Sequence, residues 1–344
     1  MELPTLDFSK FQSDSESERT ELAGAIVDSF SKHGSVRLVN HGVPDQVVYD
    51  LFDWSERFFK LPLEEKMKIA NERNPDPQRG WSYVGAEKTS KLNKDDLNGS
   101  TPDDLLDEKE HFDCSLPTDT DFPTKWPNEG DIPGFRDFME KCIGILQNVG
   151  LQVLEAMEVG LALPPGLFVD RCTPPVHELR VCYYPPITKE RMDEGKTRRT
   201  WPHSDFGMIT LLFQDGAGGL EVEDRKHPGT YIPVVRGSPT EMVILISDTL
   251  EQLTNNVFRA GLHQVVVPVD MQKLQSGTLP ERYSTTFFVK AGRHTSAGPL
   301  PQFVGPERPA VYKDITALQL HRHRVGKLYP AVHGEGNGFL EHDP

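Results

Sequence analysis

Two histidines and one aspartate have the residue types and the spacing of a metal site. His203 and Asp205 alternate in "WPHSDFGMIT", which reads as a β-strand, so both side chains are expected on one face. His263 lies in a second strand-like run, "FRAGLHQVVVP". Two imidazoles and a carboxylate leave one face of a metal open, which is typical of non-haem Fe(II) sites that accept a co-substrate and O2. If His203 and Asp205 are considered alone, the alternative is that they are unrelated polar residues on a strand. Chance matches to this pattern are common in a chain with 12 histidines.

A second group of residues suits a small dicarboxylic acid. Arg282 and Ser284 alternate in "ERYSTTFFVKA", and a guanidinium fork beside a hydroxyl can hold a distal carboxylate. Tyr184 in "LRVCYYPPI" is a further candidate donor to the same carboxylate. 2-Oxoglutarate fits this description, since its other end can chelate a metal. Together with the three metal-ligand candidates, these residues predict an Fe(II) and 2-oxoglutarate site.

Short strands and a few long helices are expected to position these side chains. Between residues 179 and 290, short apolar runs are separated by Gly and Pro turns, which indicates a sandwich or barrel. Helical periodicity predicts a helix over residues 18–34, which should end at Gly34. The longest stretch with helical periodicity is 134–164. Residues 70–130 show little periodicity and are expected to form a functional loop or lid.

Several segments resemble one known enzyme family. These segments include "LPTLDFSKF", "HGSVRLVNHGVP", "RGWSYVGAEK", "WPHSDFGMITLLFQDGAGGLEV" and "RYSTTFFV". Over roughly residues 3 to 290 the chain resembles the isopenicillin N synthase-like family of Fe(II)- and 2-oxoglutarate-dependent dioxygenases. The chain departs from the family pattern at Ser35 and Val36, where aromatic residues are usual, and at Ser247–Asp248, where "GD" is usual. Neither departure falls on a predicted ligand.

The resemblance implies a mainly β fold with flanking helices. The expected core is a double-stranded β-helix, or jelly roll, packed by N-terminal, central and C-terminal helices. One domain would span 1–344, with an N-terminal helical and strand region containing a loop or lid at 3–130. The catalytic core would span 175–295, and a C-terminal helix 312–330.

The same resemblance implies a reaction and its cofactors. These are Fe(II), 2-oxoglutarate as co-substrate and O2, with ascorbate as a candidate reductant. The expected reaction oxidises a C–H bond of a small organic molecule in specialised metabolism, by hydroxylation, desaturation or ring rearrangement, and releases succinate and CO2. An iron-dependent oxidase or cyclase that does not use 2-oxoglutarate is the first alternative. A non-catalytic jelly-roll binding protein is the second, and the intact triad disfavours it.

The resemblance also implies a substrate pocket. Its expected lining is Arg180, Phe112, Cys114, Phe288 and Lys290. Strand alternation independently places Phe288 and Lys290 on the same face as Arg282. Two cations beside aromatic surface suit an acidic or phenolic substrate with an apolar body. The alternative is that Lys290 extends to solvent and that Arg180 pairs with Glu110 or another acid.

Three other histidines have less specific patterns. His321 and His323 lie two positions apart in "LQLHRHR", where helical side chains do not share a face, so a solvated basic helix is expected. His111 in "KEHFD" fits a position at the mouth of the site or on the surface equally well.

Composition excludes several classes of partner. A formal net charge of −15 argues against nucleic acid, because phosphate binding needs clustered Lys and Arg. No apolar stretch approaches the ~20 residues of a membrane span, and no signal-like segment is evident at the N-terminus. The four cysteines lack CxxC spacing and are expected to be reduced and buried. We therefore expect a cytoplasmic monomer or weak homodimer.

Overall fold

Short strands make up the centre of the molecule. The computed structural model describes residues 2–92 and 104–329. The strands in this part of the chain are β1 (Thr5–Asp7), β2 (Ser35–Val39), β3 (Gly80–Ser82), β4 (Leu106–Asp107), β5 (Glu110–Ser115), β6 (Glu178–Tyr184), β7 (Ile187–Thr188), β8 (Thr197–Arg198), β9 (Thr200–His203), β10 (Ile209–Gln214), β11 (Leu220–Glu223), β12 (Tyr231–Pro233), β13 (Met242–Ile246), β14 (His263–Val265), β15 (Thr278–Leu279) and β16 (Arg282–Val289).

Helices flank these strands. They are α1 (Glu16–His33), α2 (Asp45–Phe59), α3 (Leu63–Lys68), α4 (Phe135–Gly160), α5 (Lys189–Asp193), α6 (Asp248–Leu253), α7 (Val269–Gln272) and α8 (Ala317–Leu328). As predicted, α1 ends at Gly34, whose positive φ of 67° suits a residue without a Cβ. In the described ranges, no helix has the length and apolarity needed to cross a membrane. The four cysteines are free and buried, as expected.

Two sheets face each other and form the predicted jelly-roll core. The larger sheet has the strand order β1-β2-β13-β10-β16-β6-β5-β3, and the smaller has the order β12-β11-β14-β9. An apolar cluster that includes Tyr184 and Leu212 of the larger sheet and Val222 and Val265 of the smaller sheet lies between them. The mainly β fold with flanking helices is therefore confirmed.

The two faces of the larger sheet have different roles. On β16, Phe287 and Val289 belong to the main hydrophobic cluster, together with residues of α4. The alternating residues Arg282 and Ser284 line a cavity between the sheets instead. Period-two alternation thus separates a face that packs on helices from a face whose polar side chains line the cavity.

Residues 93–103 of the predicted loop or lid at 70–130 lie outside the described part of the chain, and the rest of that region contains more regular structure than its weak periodicity predicts. Strand β5 pairs with β6 on one side and β3 on the other, and all its residues are buried. Its His111 and Asp113 face the interior, while Phe112 packs toward α4. The strand alternates polar and apolar residues over only six positions, and its polar face is also buried, so periodicity alone does not identify it.

Helix α4 approaches α1 closely at Gly160. A Cβ at this position would lie 2.5 Å from the backbone oxygen of Ala23. We expect Gly160→Ala to lower the free energy of unfolding by about 1–3 kcal/mol, because backbone must move. Gly144 in the same helix has no atom within 4 Å of a Cβ, so Gly144→Ala should instead raise it by about 0.5–1 kcal/mol. Urea denaturation measures both, and equal effects would contradict the close approach.

Candidate metal and co-substrate site

The three predicted metal ligands lie together at one end of the smaller sheet. His203, the last residue of β9, is paired directly with His263, the first residue of β14. Asp205 lies two residues beyond the end of β9 rather than within the strand, which corrects the expected alternation along one strand. The ligand atoms of the three residues all lie within 4.8 Å of one another. Asp205 Oδ1 is 3.8 Å from His203 Nε2, and Asp205 Oδ2 is 4.0 Å from His263 Nε2.

Backbone carbonyls orient both imidazoles. His203 Nδ1 lies 2.9 Å from the carbonyl oxygen of Trp201, and His263 Nδ1 lies 3.0 Å from that of Gly261. A carbonyl can only accept, so these hydrogen bonds assign the proton to Nδ1 in each ring. Each Nε2 therefore presents its lone pair to the space beside Asp205, as in metal-bound histidines.

The electrostatics of this group also suit a cation. Thr210 Oγ1 donates to Asp205 Oδ2 at 2.7 Å and fixes the carboxylate. Burial, followed by the effect of His263, lowers the pKa of His203 to about 3, so its imidazole is neutral at physiological pH. Two imidazole nitrogens and one carboxylate fit a divalent first-row metal such as Fe(II).

The predicted co-substrate residues line the same cavity as the three metal-ligand candidates. Arg282 of β16 is paired with Tyr184 of β6, and the guanidinium lies 4.8 Å from the centre of the phenol ring. The hydroxyls of Ser284 and Tyr184 are 3.4 Å apart. Arg282 is fully buried, and its Nε donates to the carbonyl of Gly218 at 3.0 Å. These donors and the metal ligands can therefore contact one small dicarboxylic acid.

A second cavity shares Arg180, His203, Asp205 and Phe288 with the first. Three of the predicted substrate residues line it, namely Arg180, Phe288 and Lys290. Lys290 forms an ion pair with Glu178 rather than extending to solvent. Although burial opposes the effect, the charges of Lys290 and Arg79 hold the pKa of Glu178 below its usual value.

Arg180 forms buried ion pairs with two carboxylates. Its Nε donates to Asp113 at 2.7 Å, and its Nη1 donates to Glu87 at 3.1 Å. The alternative drawn from the sequence, that Arg180 pairs with Glu110 or another acid, holds for other acids, because Glu110 itself pairs with Lys66 at 2.9 Å on the other face of β5. The alternation of β5 explains this, because residues 110 and 113 point to opposite faces.

The structure corrects two further predicted pocket residues. Phe112 and Cys114 are buried in the main hydrophobic cluster, on the face of β5 that packs toward α4. Their neighbour Asp113 takes the inner position through its pairing with Arg180. Phe112 and Cys114 therefore do not line either cavity beside the metal ligands.

Sequence reasoning missed the burial of His321 and did not decide the position of His111. His321 is buried rather than solvated and lines this cavity, whereas His323 is exposed as predicted. Burial lowers the pKa of His321 well below its usual value. His111 is buried beside Asp113 rather than on the surface. Helical periodicity could have identified His321, because Ala317, Leu320, Val325 and Leu328 are buried on the same helix.

Two family models match most of the chain. Residues 175–291 match the 2OG-Fe(II) oxygenase superfamily. Residues 3–129 match the N-terminal region described as non-haem dioxygenase in morphine synthesis. The first match contains all three metal-ligand candidates and the predicted co-substrate residues.

Similar proteins and structures agree with these matches. The 2-oxoglutarate-dependent dioxygenase imqE of Aspergillus flavus is 43% identical, with 95% of this chain and 94% of that protein covered. The proline hydroxylase buaE of Petromyces alliaceus is 36% identical, with 96% and 100% covered. A full-length Neurospora crassa protein, solved in complex with α-ketoglutarate and thymine, has a TM-score of 0.82 at 28% identity, with 94% and 96% covered. The chain therefore belongs to the 2OG-Fe(II) oxygenase superfamily and is a 2-oxoglutarate-dependent dioxygenase that uses non-haem iron and O2.

Proposed function

We propose that His203, Asp205 and His263 hold Fe(II), and that Arg282, Ser284 and Tyr184 bind the distal carboxylate of 2-oxoglutarate. One observation carries this assignment: all six residues line a single cavity between the sheets. When bound, the iron would combine O2 with 2-oxoglutarate, so that one oxygen atom ends in succinate as CO2 is released and the other is available to oxidise a C–H bond. The residues of the second cavity would place one C–H bond of a small molecule beside the metal and exclude water.

The charges of the second cavity support a substrate that carries both signs. Arg180 and Lys290 are each paired with resident carboxylates, so a purely anionic substrate would compete with Glu87 and Glu178 for them. A molecule with a carboxylate and an ammonium can pair with both kinds of group. Apolar side chains complete the lining, namely Leu92, Phe206, Phe288, Val325 and Leu328.

We therefore propose an amino acid, or a compound built on one, as the substrate and hydroxylation as the outcome. The name of the relative buaE, a proline hydroxylase, supports this choice. The proposal keeps the carboxylate and the apolar body of the acidic substrate expected from the sequence and adds an ammonium group. The relatives named as 2-oxoglutarate-dependent dioxygenases do not support the alternatives of a 2-oxoglutarate-independent cyclase or a binding protein.

Finer parts of the sequence-based interpretation also remain proposals. We propose membership of the isopenicillin N synthase-like subfamily and a role in specialised metabolism. We also propose one domain over 1–344, composed of the region 3–130, the catalytic core 175–295 and the C-terminal helix 312–330. A cytoplasmic location and a monomeric or weakly dimeric state are kept as predictions.

A succinate-release assay tests the substrate class. The protein is supplied with Fe(II), 2-oxoglutarate and ascorbate, and then with free amino acids, their methyl esters and their N-acetyl derivatives. We expect free amino acids to stimulate succinate formation more than either blocked form. Stimulation by phenolic acids but not by amino acids would contradict the proposal, while leaving the reaction class intact.

Substitutions in the second cavity test which charge each group recognises. Lys290→Ala or Arg180→Ala should reduce the preference for a free acid over its methyl ester by on the order of tenfold, because a charge-assisted contact is lost. Glu178→Gln should instead reduce the preference for a free amine over its N-acetyl form. The ratio of kcat/KM values measures both. If no variant changes either ratio, these ion pairs have only a structural role.

A further inference from the structure

Lys109 is a buried cation in the lining of the first cavity, which also contains Arg282. The described residues that line this cavity carry three cations, Lys109, Arg180 and Arg282, but a single carboxylate, that of Asp205. Arg282 is already the proposed contact of the distal carboxylate of 2-oxoglutarate. Positive charge therefore faces this cavity at more than one point, and Arg282 alone does not account for it.

The ammonium group of Lys109 lies where the two cavities meet. Its Nζ is 2.8 Å from Oε2 of Glu87, a residue that lines the second cavity and not the first. His203 and Asp205 line both cavities, whereas Arg282 lines only the first. Lys109 therefore reaches the shared part of the first cavity, which contains two of the metal-ligand candidates and not Arg282.

Glu87 fixes the charge and the position of Lys109. Although burial opposes the effect, the charge of Glu87 raises the pKa of Lys109, which therefore stays protonated. Glu87 also pairs with Arg180 at 3.1 Å, so one carboxylate is shared between two cations. An ammonium carries three N–H donors. Lys109 can therefore donate to an anion in the first cavity while it keeps its contact with Glu87.

We propose that Lys109 binds the C1 carboxylate of 2-oxoglutarate, the carboxylate beside the keto group. This inference rests on the proposed assignment of Arg282 to the distal carboxylate. A 2-oxo acid chelates a metal through its keto oxygen and its C1 carboxylate, so the C1 carboxylate belongs at the metal end of the cavity, where Lys109 reaches. The C1 carboxylate is also the group that leaves as CO2. Lys109 would thus orient the reacting end of the co-substrate and Arg282 the other end.

Calorimetry of the Ni²⁺-loaded protein tests the inference without turnover. The first two titrants are 2-oxoglutarate and 2-oxopentanoate, which has the same chelating end but a methyl group in place of the distal carboxylate. Lys109→Met should weaken the binding of both by about tenfold, because both lose a charge-assisted contact. Arg282→Leu should weaken only 2-oxoglutarate. The ratio of the two affinities should therefore stay as in the wild type in Lys109→Met and fall in Arg282→Leu.

A third ligand separates a direct contact from a structural role. 4-Oxopentanoate keeps the keto group and the distal carboxylate of 2-oxoglutarate but has a methyl group in place of the C1 carboxylate. Its dissociation constant, measured by displacement titration, should change by less than about twofold in Lys109→Met, because the contact that this variant removes is absent from the ligand.

Lys66→Met is the matched control. Lys66 is also a buried lysine in an ion pair with a glutamate, Glu110, at 2.9 Å, and it lines neither cavity. We expect this variant to bind all three ligands as the wild type does, even if its stability falls. In Lys109→Met, Glu87 keeps its ion pair with Arg180, so its carboxylate is not left unpaired. Lys109→Gln gives the same comparison if Lys109→Met does not fold.

Three results would overturn the inference. They are unchanged affinity for both 2-oxo acids in Lys109→Met, a loss confined to 2-oxoglutarate, and an equal loss for all three ligands, which indicates a structural role. Arg282→Leu, measured in parallel, separates these outcomes from failure of the proposed site. If Arg282→Leu weakens 2-oxoglutarate binding and Lys109→Met weakens neither 2-oxo acid, only the role of Lys109 is rejected. If Arg282→Leu has no effect, the co-substrate site itself is misassigned.

Discussion

Alanine at His203, Asp205 or His263 is expected to abolish turnover and leave the protein folded. The three side chains are held by hydrogen bonds and strand pairing that exist without a metal, so losing one ligand should not unfold the core. Two remaining ligands bind Fe(II) more weakly, and the geometry needed for O2 chemistry is lost. Succinate release measures turnover, circular dichroism measures folding, and iron content after dialysis measures binding.

Two controls sharpen this prediction. His227→Ala removes an exposed histidine that pairs with Asp224 outside the site, and it should change neither iron content nor turnover. Thr210→Val removes the hydroxyl that orients Asp205 and should weaken metal binding by about 10–100-fold. Zn²⁺ and Ni²⁺ should bind the same residues and inhibit. Full activity in any of the three alanine variants would reject the proposed metal site.

The metal-ligand candidates could be predicted because they depend on local spacing and on one strand pairing. His203 and Asp205 are close in the chain, so any extended or turn conformation keeps them near each other. His263 reaches them through direct pairing of β14 with β9. Strand pairing is not encoded in local sequence. The sequence therefore predicts the three ligands from their residue types and their order in the chain, without the register of the two strands.

The substrate pocket was predicted less well, for a reason of geometry. Successive strand residues point to opposite faces, so an error of one position assigns a core residue to the cavity and a cavity residue to the core. On β5 the family resemblance predicted Phe112 and Cys114 in the pocket, whereas their neighbour Asp113 is the residue that faces inward. Apolar residues at 112 and 114 look suited to a substrate pocket, but here they bind the sheet to α4. The inward polar residues are stabilised by ion pairs that sequence cannot reveal, such as that of Arg180 with Asp113.

Long-range packing accounts for the remaining omissions. Helix α8 could be predicted as a helix, but its sequence does not state which surface it covers. The structure places its His321, Val325 and Leu328 against the second cavity. Such clusters form where separate strands and helices pack together. A single sequence does not show directly which elements pack against each other.

Arg282→Leu is expected to raise the 2-oxoglutarate requirement by about 30- to 1000-fold, corresponding to a loss of about 2–4 kcal/mol of binding. Arg282 is fully buried, so its contact with a carboxylate is little screened by water. Ser284→Ala and Tyr184→Phe each remove one neutral hydroxyl and should have milder effects. The apparent KM for 2-oxoglutarate and that for the primary substrate are measured on the same preparations.

The comparison of these two constants decides between the candidate reactions. Because Arg282 lines the cavity of the co-substrate and not the second cavity, the KM for the primary substrate should change far less than that for 2-oxoglutarate. If Arg282→Leu instead changed only the primary-substrate constant, the arginine would bind a carboxylate of the substrate. That result would favour an iron-dependent oxidase or cyclase in which 2-oxoglutarate takes no part, because the cavity beside the metal would then hold one molecule rather than two.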